Sequence, residues 1–534
     1  MYGKLNSACL YGIDGVLIEV ETDLSNGLPQ TSIIGLPDSA VREAVERVRA
    51  AIKNCGFKYP SQRVTINLAP ADLRKEGSSF DLAIAVGLLA VSSQIILPRE
   101  ERTLFIGELA LDGSVRSVNG VLSMVDLAKR DGFDSVMLPW ENVQEATLIK
   151  GIQLYGVKHL QDIIPEAGCL SIERKGAEPE RVPVRIASFG HLLPDKKGAL
   201  VPKDKDSLLL SGKTIEDYAD VLGQQHAKRA LVIAAAGMHN ILLMGPPGTG
   251  KTMLIRRLPT IMPMLEEAEA LEVTKILSAA GKLKESAASG LIRTRPFRAP
   301  HHTISATGLI GGGAIPKPGE VSLAHRGVLF LDELPEFNRQ VLEVLRQPLE
   351  DKQVTISRSR AVFTYPAQFL LAGSMNPCFC GWYGSETDSQ RCTCSPGRIA
   401  RYRSRISGPM LDRIDLQLEV PRPKEWQHEQ ASISSAEMRQ QVLTAQSVQA
   451  ERYRELPLSW NSELSGSLLR KFCKMEPGAH ALLQQTVEVL GLSMRSYDRI
   501  LKLSRTIADL AGAAQIGVEH TAEAIQYRKL DVKI

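Results

Sequence analysis

Several things are missing from these 534 residues, and each absence removes a class of protein. Charge of one sign is missing. With 64 basic against 60 acidic residues the formal charge is +4, too small by itself to imply a nucleic-acid partner, so that argument rests on local clusters. Long apolar runs are missing too: LAIAVGLLAV, from Leu82 to Val91, falls short of the ~18 residues that suggest a membrane span, and no membrane partner is expected. The opening MYGKLNSACLYGIDG lacks a basic region followed by an apolar core, so no secretion signal is expected and a cytoplasmic location is the default. No internal repeat is evident, which argues against a repeat array. Cysteine is scarce, at 8 residues, yet Cys378, Cys380, Cys392 and Cys394 share one window, and in a reducing compartment such crowding favours metal over disulfides. What is present, 44% hydrophobic and 23% charged residues, is ordinary for a soluble globular protein and excludes global disorder. The length suffices for about three or four units at roughly 150 residues each.

The chain is organised around ILLMGPPGTGKT, Ile241 to Thr252. A short apolar run reads as a buried strand, MLIRRL after it begins a helix, and between them stand Gly245, Pro246, Pro247, Gly248, Thr249, Gly250, Lys251 and Thr252. This is the strand, loop and helix of a phosphate-binding loop. Its glycines let backbone N–H groups wrap an anion at the positive end of the helix; Lys251 meets the β- and γ-phosphates and the Thr252 hydroxyl holds magnesium. A glycine-rich turn that binds nothing would not explain Lys251 and Thr252 together. The second half of an ATP site lies in GVLFLDE, Gly327 to Glu333, where a buried strand delivers Asp332 and Glu333 at its carboxyl end. Asp332 is expected to hold magnesium and Glu333 to orient and deprotonate the attacking water. FLLAGSMN then reads as a third core strand, which sets Asn376 beside the γ-phosphate.

From Met1 to about Cys169, strand-like and helical runs alternate: VLIEVE, SAVREAVERVRAAIKNCG, VTINLAP, DLAIAVGLLAV, TLFIGELAL, VLSMVDLAKRDG and SVMLPW. They predict a mixed α/β domain. Within it, KEGSSFDLAIAVGLL followed by FIGELALDGSVRSVNGVLSMVDLAKRDGFDSVMLPWEN resembles the proteolytic domain of Lon-type proteases, a ribosomal S5 domain 2-like fold. That resemblance puts the nucleophile on Ser79 and its lysine base at Leu122; leucine cannot accept a proton, so the domain is expected to be non-proteolytic. Ser78 and Ser79 are then expected to cap the helix that follows.

From about Asp217 onward the phosphate loop, the acidic strand, Asn376 in the role called sensor 1, Arg413 in SGPMLDRIDLQLEV and Arg495 in GLSMRSYDRILKLSRTIADLAG together resemble an AAA+ ATPase of the helix-2-insert clade. The resemblance makes Arg413 the arginine finger supplied to a neighbouring subunit and Arg495 the sensor 2 arginine, in cis or in trans. With the amino-terminal domain and the phrases FRAPHHTISATGLIGGG, PGEVSLAHRGVLFLDELPEF and SMNPCFCG, the whole chain resembles the ComM/YifB family, often labelled magnesium chelatase-like. That implies an ATP-driven hexameric DNA helicase promoting branch migration during natural transformation. ATP and magnesium are its cofactors, single-stranded and branched DNA its partner, with room for recombination proteins as further partners. The alternative is a remodelling motor of magnesium-chelatase type acting on a protein.

Cys378-Phe-Cys380 and Cys392-Thr-Cys394 form two CxC pairs with eleven residues between them. Four thiolates on a hairpin suit a closed, structural zinc site, although one intervening residue is tighter than in common zinc ribbons; four free thiols or a redox pair stand as alternatives. Basic residues gather at Arg293, Arg295, Arg298, His301 and His302, at Arg358 and Arg360 in the hairpin-like QVTISRSRAVFTYPAQ, and at Arg398, Arg401, Arg403 and Arg405 after the cysteines. In the resembling helicases the first two insertions enter the ring's channel and grip the DNA backbone, and phosphate contacts move a strand without reading it. Solvated loop charge is the plainer account of any one arginine. The expected division is 1–169 Lon-protease-like domain, 170–211 linker, 212–420 AAA+ core with the zinc hairpin at 378–394, and 421–534 helical lid.

Overall fold

The computed structural model of the chain describes every residue except 76, 99–101, 165–183, 187–188, 194–215, 284–289, 314–315, 359–360, 386–390, 423–431 and 529–534, with 184, 185, 358 and 361 described by backbone alone. Two units separate: Met1–Ser207 with Leu271–Ile292, and Leu208–Ala270 with Arg293–Ile534. Leu271–Ile292, inside the stretch 212–420 that the sequence suggests is one core, therefore packs with the first unit. Most of the expected linker, 170–211, lies outside the described residues.

In the first unit β1 (Tyr2–Tyr11) and β2 (Asp14–Ser25) pair antiparallel, with Tyr11 opposite Asp14. Gly12, at φ 70°, takes the left-handed conformation that so tight a hairpin turn needs at its first central position. With β3 (Gln30–Ile34), β4 (Arg63–Ala69), β5 (Thr103–Phe105), β6 (Ser135–Pro139) and β7 (Gln153–Val157) they form a sheet ordered β7-β6-β5-β1-β2-β4-β3. Successive side chains leave opposite faces. Met137 enters a core with α1 (Ser39–Asn54) and α2 (Asp81–Val91), while Val136 and Leu138 enter another beneath α3 (Val121–Arg130). Helix α1 begins where the Asp38 carboxylate accepts the Val41 N–H at 2.8 Å, and buries Val41, Ala44, Val48, Ala51 and Ile52 at helical spacing. Phe189 and Leu192 join the first core, Phe189 meeting the Tyr155 ring at 5.6 Å. Leu271–Ile292 docks on α3: Lys275 pairs with Asp126 at 2.7 Å and the Gly120 N–H donates to the Ser278 carbonyl at 3.2 Å.

The capping expectation for Ser78 and Ser79 fails. The residue before α2 is Phe80, with no side-chain cap; the Ser79 hydroxyl donates instead to the Ala8 carbonyl at 3.0 Å and that of Ser78 to Glu108. Leu122, where the protease would hold its lysine, is fully buried.

The second unit is built on β8 (Ile241–Met244), β9 (Phe297–Arg298), β10 (Val328–Leu331), β13 (Leu370–Met375) and β14 (Leu416–Glu419), all parallel, in the order β9-β10-β13-β8-β14. Strands β8, β10 and β13 are buried at every position, which is why β8 and β10 read as unbroken apolar runs rather than alternating ones, and β13 departs from that only near its end, at Gly373 and Ser374. A separate hairpin, β11 (Gln353–Arg358) and β12 (Ala361–Pro366), lies between β10 and β13 in the chain. Helices α4 (Gln225–Gly237), α5 (Lys251–Arg256) and α6 (Pro396–Arg403) are followed by α7 (Ser435–Arg452), α8 (Pro477–Leu490), α9 (Met494–Leu510) and α10 (Val518–Gln526). A capping box starts α7: Glu437 accepts the Ser434 N–H at 2.8 Å while the Ser434 hydroxyl accepts the Glu437 N–H at 3.3 Å. No helix among the described residues is long and apolar enough to cross a membrane.

At the amino ends of the central strands one side chain makes most of the connections. Asn240 accepts the Leu371 N–H at 2.8 Å, donates to the Arg413 carbonyl at 2.8 Å, and gives its backbone N–H to Asp415 at 3.0 Å. Its carbonyl accepts from Asp415 and Leu416 at 3.0 and 2.9 Å. Asp415 is paired in turn with Arg499 of α9 at 2.7 Å. Burial opposes ionisation of Asp415, but Arg499, His239 and Lys502 outweigh it and hold the carboxyl well below its ordinary value. A depressed carboxyl pKa stabilises fully above the unfolded value of about 3.9, and that contribution is lost as pH falls toward the folded value. Asp415→Asn should therefore cost about 3 kcal/mol at pH 7 in urea unfolding, by leaving the half-buried Arg499 and its neighbours without their buried carboxylate, and the gap to wild type should narrow below about pH 4.

Candidate nucleotide site and cysteine hairpin

The loop after β8 carries its special backbone at two glycines, Gly248 and Gly250, with φ of 79° and 83°. Gly245 donates its N–H to the Met375 carbonyl at 3.1 Å, and a Cβ there would be driven into the Val420 carbonyl oxygen. Thr249 is buried and its hydroxyl donates to the Pro246 carbonyl at 3.0 Å, closing the loop, while Pro247 is exposed at its tip. The Lys251 ammonium curls into this loop and donates to the carbonyls of Gly245 and Pro246, at 2.7 and 2.9 Å, and to Asn376 at 3.3 Å. Burial lowers its pKa, against the pull of Asp332 and Glu333. Neutral carbonyls are weak partners for an ammonium, so a polyphosphate over the loop would compete for it effectively.

Asp332 stands opposite. It accepts from the Thr252 hydroxyl at 2.9 Å, from the Ser374 hydroxyl, and from the Glu333 N–H at 3.2 Å. Adjacent oxygens of an octahedral magnesium shell, with bonds of about 2.0–2.1 Å, lie about 3 Å apart, so Thr252 and Asp332 fit two neighbouring positions on such an ion. Glu333 is exposed and has φ 54°, a left-handed conformation that costs a non-glycine residue about 1 kcal/mol or more. The Glu333 N–H also donates to Ser374 at 3.3 Å, which helps to hold the turn. Ser374 and Asn376 are two apart at the end of β13 and so leave one face of the chain; that spacing was the available signal for Ser374, which sequence reasoning missed.

Lys251, Thr252, Asp332, Glu333 and Asn376 thus converge at the carboxyl ends of three strands. Arg413 and Arg495 do not join them. The Arg413 side chain is buried, donating to the Pro409 carbonyl at 2.5 Å and paired with Glu350. Burial lowers its pKa, with Glu350 opposing and the charges of Arg346, Arg495 and Arg499 assisting. Arg495, in the first turn of α9, is exposed and shares this neighbourhood with Arg413.

The four cysteines come together as the spacing suggests. Sγ of Cys378 lies 3.3 Å from that of Cys380 and 3.8 Å from that of Cys392, Cys380 and Cys392 are 3.6 Å apart, and all four sulfurs fall within 4.8 Å of one another. Zinc with four sulfurs at about 2.3 Å sets sulfurs about 3.8 Å apart, so the cluster fits such an ion. Among the described residues it is the one grouping of His, Cys, Asp or Glu that could hold a metal ion. The rings of His301 and His302 lie 4.1 Å apart, tilted by 34°, and His301 Nδ1 meets the Thr303 hydroxyl at 2.9 Å.

The basic residues divide. Arg295 is buried against Glu269 at 3.3 Å and under Trp460, and Arg298 is held by both oxygens of Glu320 at 2.6 and 2.8 Å, so neither is the loop charge that the sequence suggests. Arg403 donates to the Pro377 carbonyl at 3.1 Å and lies over Tyr383, while Arg401 is exposed. Arg358 pairs with Ala361 at the tip of the β11–β12 hairpin; Arg360 lies outside the described residues.

Comparison with known proteins covers the chain nearly end to end. Residues 217–428 match the family model of magnesium chelatase subunit ChlI, 20–142 that of subunit ChlI of Mg-chelatase, and 432–528 the ChlI C-terminal region. Competence protein ComM of Haemophilus influenzae is 42% identical over 522 residues, 97% of this chain and 96% of that protein. Protein YifB of Salmonella typhimurium is 43% identical over 523 residues, again 97% and 96%. A partial likeness, 28% over 183 residues and 31% of this chain, extends to Lon protease 2 of Bacillus subtilis.

The crowding at Gly245 yields a direct test. Gly245→Ala should weaken nucleotide binding by about 5- to 150-fold, the factor that about 1–3 kcal/mol of overpacking corresponds to, measured by titration of a fluorescent ATP analogue.

Proposed function

The chain belongs to the ComM/YifB family, with a magnesium-chelatase-type AAA+ domain, and from that premise we propose that it is an ATP-driven DNA translocase. It works as a hexameric ring in the cytoplasm and migrates branched recombination intermediates during natural transformation. The observation that carries the reading is the meeting of Lys251, Thr252, Asp332 and Asn376 through direct hydrogen bonds, with Glu333 next in the chain. The name of the Haemophilus relative, competence protein, supports the cellular role.

In this reading Lys251 exchanges the carbonyls of Gly245 and Pro246 for the β- and γ-phosphates, and the backbone from Gly245 to Gly250 wraps them. Thr252 and Asp332 would hold magnesium, which would neutralise charge on the phosphates. Glu333 takes the proton of the attacking water, and Asn376 orients the γ-phosphate. Arg413 serves the site of the next subunit. Within one chain it is held by Glu350, so ring assembly trades that carboxylate for a phosphate; Arg495, exposed in the same neighbourhood, would act from the same side. Zinc on Cys378, Cys380, Cys392 and Cys394 is structural, and such a site can contribute on the order of 10 kcal/mol to local folding.

DNA is gripped by its phosphates through Arg358, at the tip of the β11–β12 hairpin, through Arg360, and through the segment with His301 and His302; Arg401 is a further contact, to which Arg403, braced on Pro377, adds charge. The second reading, a motor that remodels a protein, is favoured by two observations: the chelatase match at 217–428 and the internal pairing of Arg295 and Arg298. Stimulation of ATP hydrolysis by DNA separates the two. A proteolytic role for the amino-terminal unit is not part of the proposal, since Ser79 donates to Ala8 and Leu122 offers no base.

Lys251→Ala and Glu333→Gln should each abolish ATP-dependent unwinding of forked and three-stranded DNA, and Arg413→Ala should lower kcat by about 10³-fold. Unimpaired strand displacement by either of the first two would defeat the assignment.

A further inference from the structure

The cysteine cluster is fastened to the nucleotide site at both ends. It begins two residues beyond Asn376, whose Oδ1 accepts from Lys251, and Cys378 is fully buried. Gly381, one residue past the first CxC pair, has φ 89° and donates its N–H to the Cys378 carbonyl at 3.1 Å. It also lies hard against the phosphate loop: a Cβ there would stand 2.7 and 2.9 Å from Cδ and Cγ of Pro247, the residue at the loop's tip. Beyond the second pair, α6 returns to the same place. Arg403 donates to the carbonyl of Pro377, between Asn376 and the first cysteine. The hairpin aromatics are covered from the carboxyl-terminal side, Phe379 by Arg398 and Tyr383 by Arg403, with guanidinium-to-ring distances of 4.9 and 5.4 Å.

A short loop rich in glycine, serine and cysteine has little core of its own, so four sulfurs on one ion would fix it where apolar packing does not. What it touches decides what that rigidity does. Asn376 is the hairpin's covalent stem, and Pro247 lies against its Gly381.

We propose that these four cysteines form a zinc site that positions Asn376 and the phosphate loop, so that metal occupancy governs the rate of ATP hydrolysis. The cysteines are then positioning residues, acting through Asn376 and Pro247 rather than on the nucleotide. The inference rests on the nucleotide reading above, and goes beyond a merely structural metal.

The test uses the full chain. Zinc is counted by mass spectrometry of the digested protein, ATP affinity by titration with a fluorescent analogue, kcat and KM by phosphate release, and folding by circular dichroism. Wild type should hold one zinc per chain. The double variant Cys392→Ser, Cys394→Ser should lose it and lose about tenfold or more in kcat, as slight misplacement of a positioned group does, with an unchanged far-ultraviolet spectrum. Gly381→Ala keeps every ligand; it should keep its zinc and still lose kcat. Lys251→Ala should lose nucleotide and retain zinc. A zinc-free wild type would overturn the proposal, as would a zinc-free double variant that turns over ATP normally. Should the double variant fail to fold, full zinc with undiminished kcat in Gly381→Ala overturns it instead. Zinc-loaded wild type that ignores ATP would sink the nucleotide reading and this one with it, whereas an active ATPase indifferent to its zinc sinks this one alone.

Discussion

The hydrogen bond from Thr252 to Asp332 reaches across a strand. Thr252 follows β8 and Asp332 follows β10, and β13 lies between these two in the sheet, so their strand axes are about 9.6 Å apart at the usual spacing of parallel neighbours. Thr252, in the first turn of α5, is carried across that gap by the phosphate loop, and the intervening strand contributes a hydroxyl of its own to Asp332. Ser374 donates to Asp332 and Asn376 accepts from Lys251, so the middle strand joins both halves of the site. Most of the chemistry assigned to this chain depends on that register. A shift of β13 by one residue would turn Ser374 and Asn376 to the opposite face.

The register is secured from the other end of the sheet. Asn240, Asp415 and Arg499 bind the amino ends of β8, β13 and β14 to α9, and the Asn240 amide holds the carbonyl of Arg413. The residue proposed to serve a neighbouring subunit is thereby fixed to the strand that delivers the chain's own phosphate loop. Any tilt of α9 is felt at Asp415, two residues from Arg413. A charged contact of this kind tolerates few alternative geometries, which is what a coupling element requires.

How much of this was legible beforehand varied with how local the cause was. The phosphate loop, the acidic strand ending at Asp332 and Glu333, and the buried β13 are each written in fewer than about a dozen consecutive residues, and each lies in the expected kind of element. The four cysteines were legible for the same reason. Arg295 and Arg298 were misread because their partners, Glu269 with Trp460 and Glu320, are distant in sequence, and nothing in the local pattern distinguishes a buried arginine from a solvated one. The allegiance of Leu271–Ile292 is likewise decided by Asp126 and Gly120, well over a hundred residues away. Ser78 and Ser79 sat where a cap belongs, yet the hydroxyls found the Ala8 carbonyl and Glu108 instead. Asn240 carried no signal: a lone amide before an apolar strand is common, and its importance comes from the three strands that meet it.

In the proposed mechanism another copy of the chain completes the site, and the completed ring works on DNA. The rate of ATP hydrolysis per chain, followed over a wide range of protein concentration with and without forked DNA, tests it most directly. The account predicts a specific activity that rises steeply with concentration as rings assemble and rises again when DNA is added. A specific activity that is flat in concentration and indifferent to DNA would contradict it.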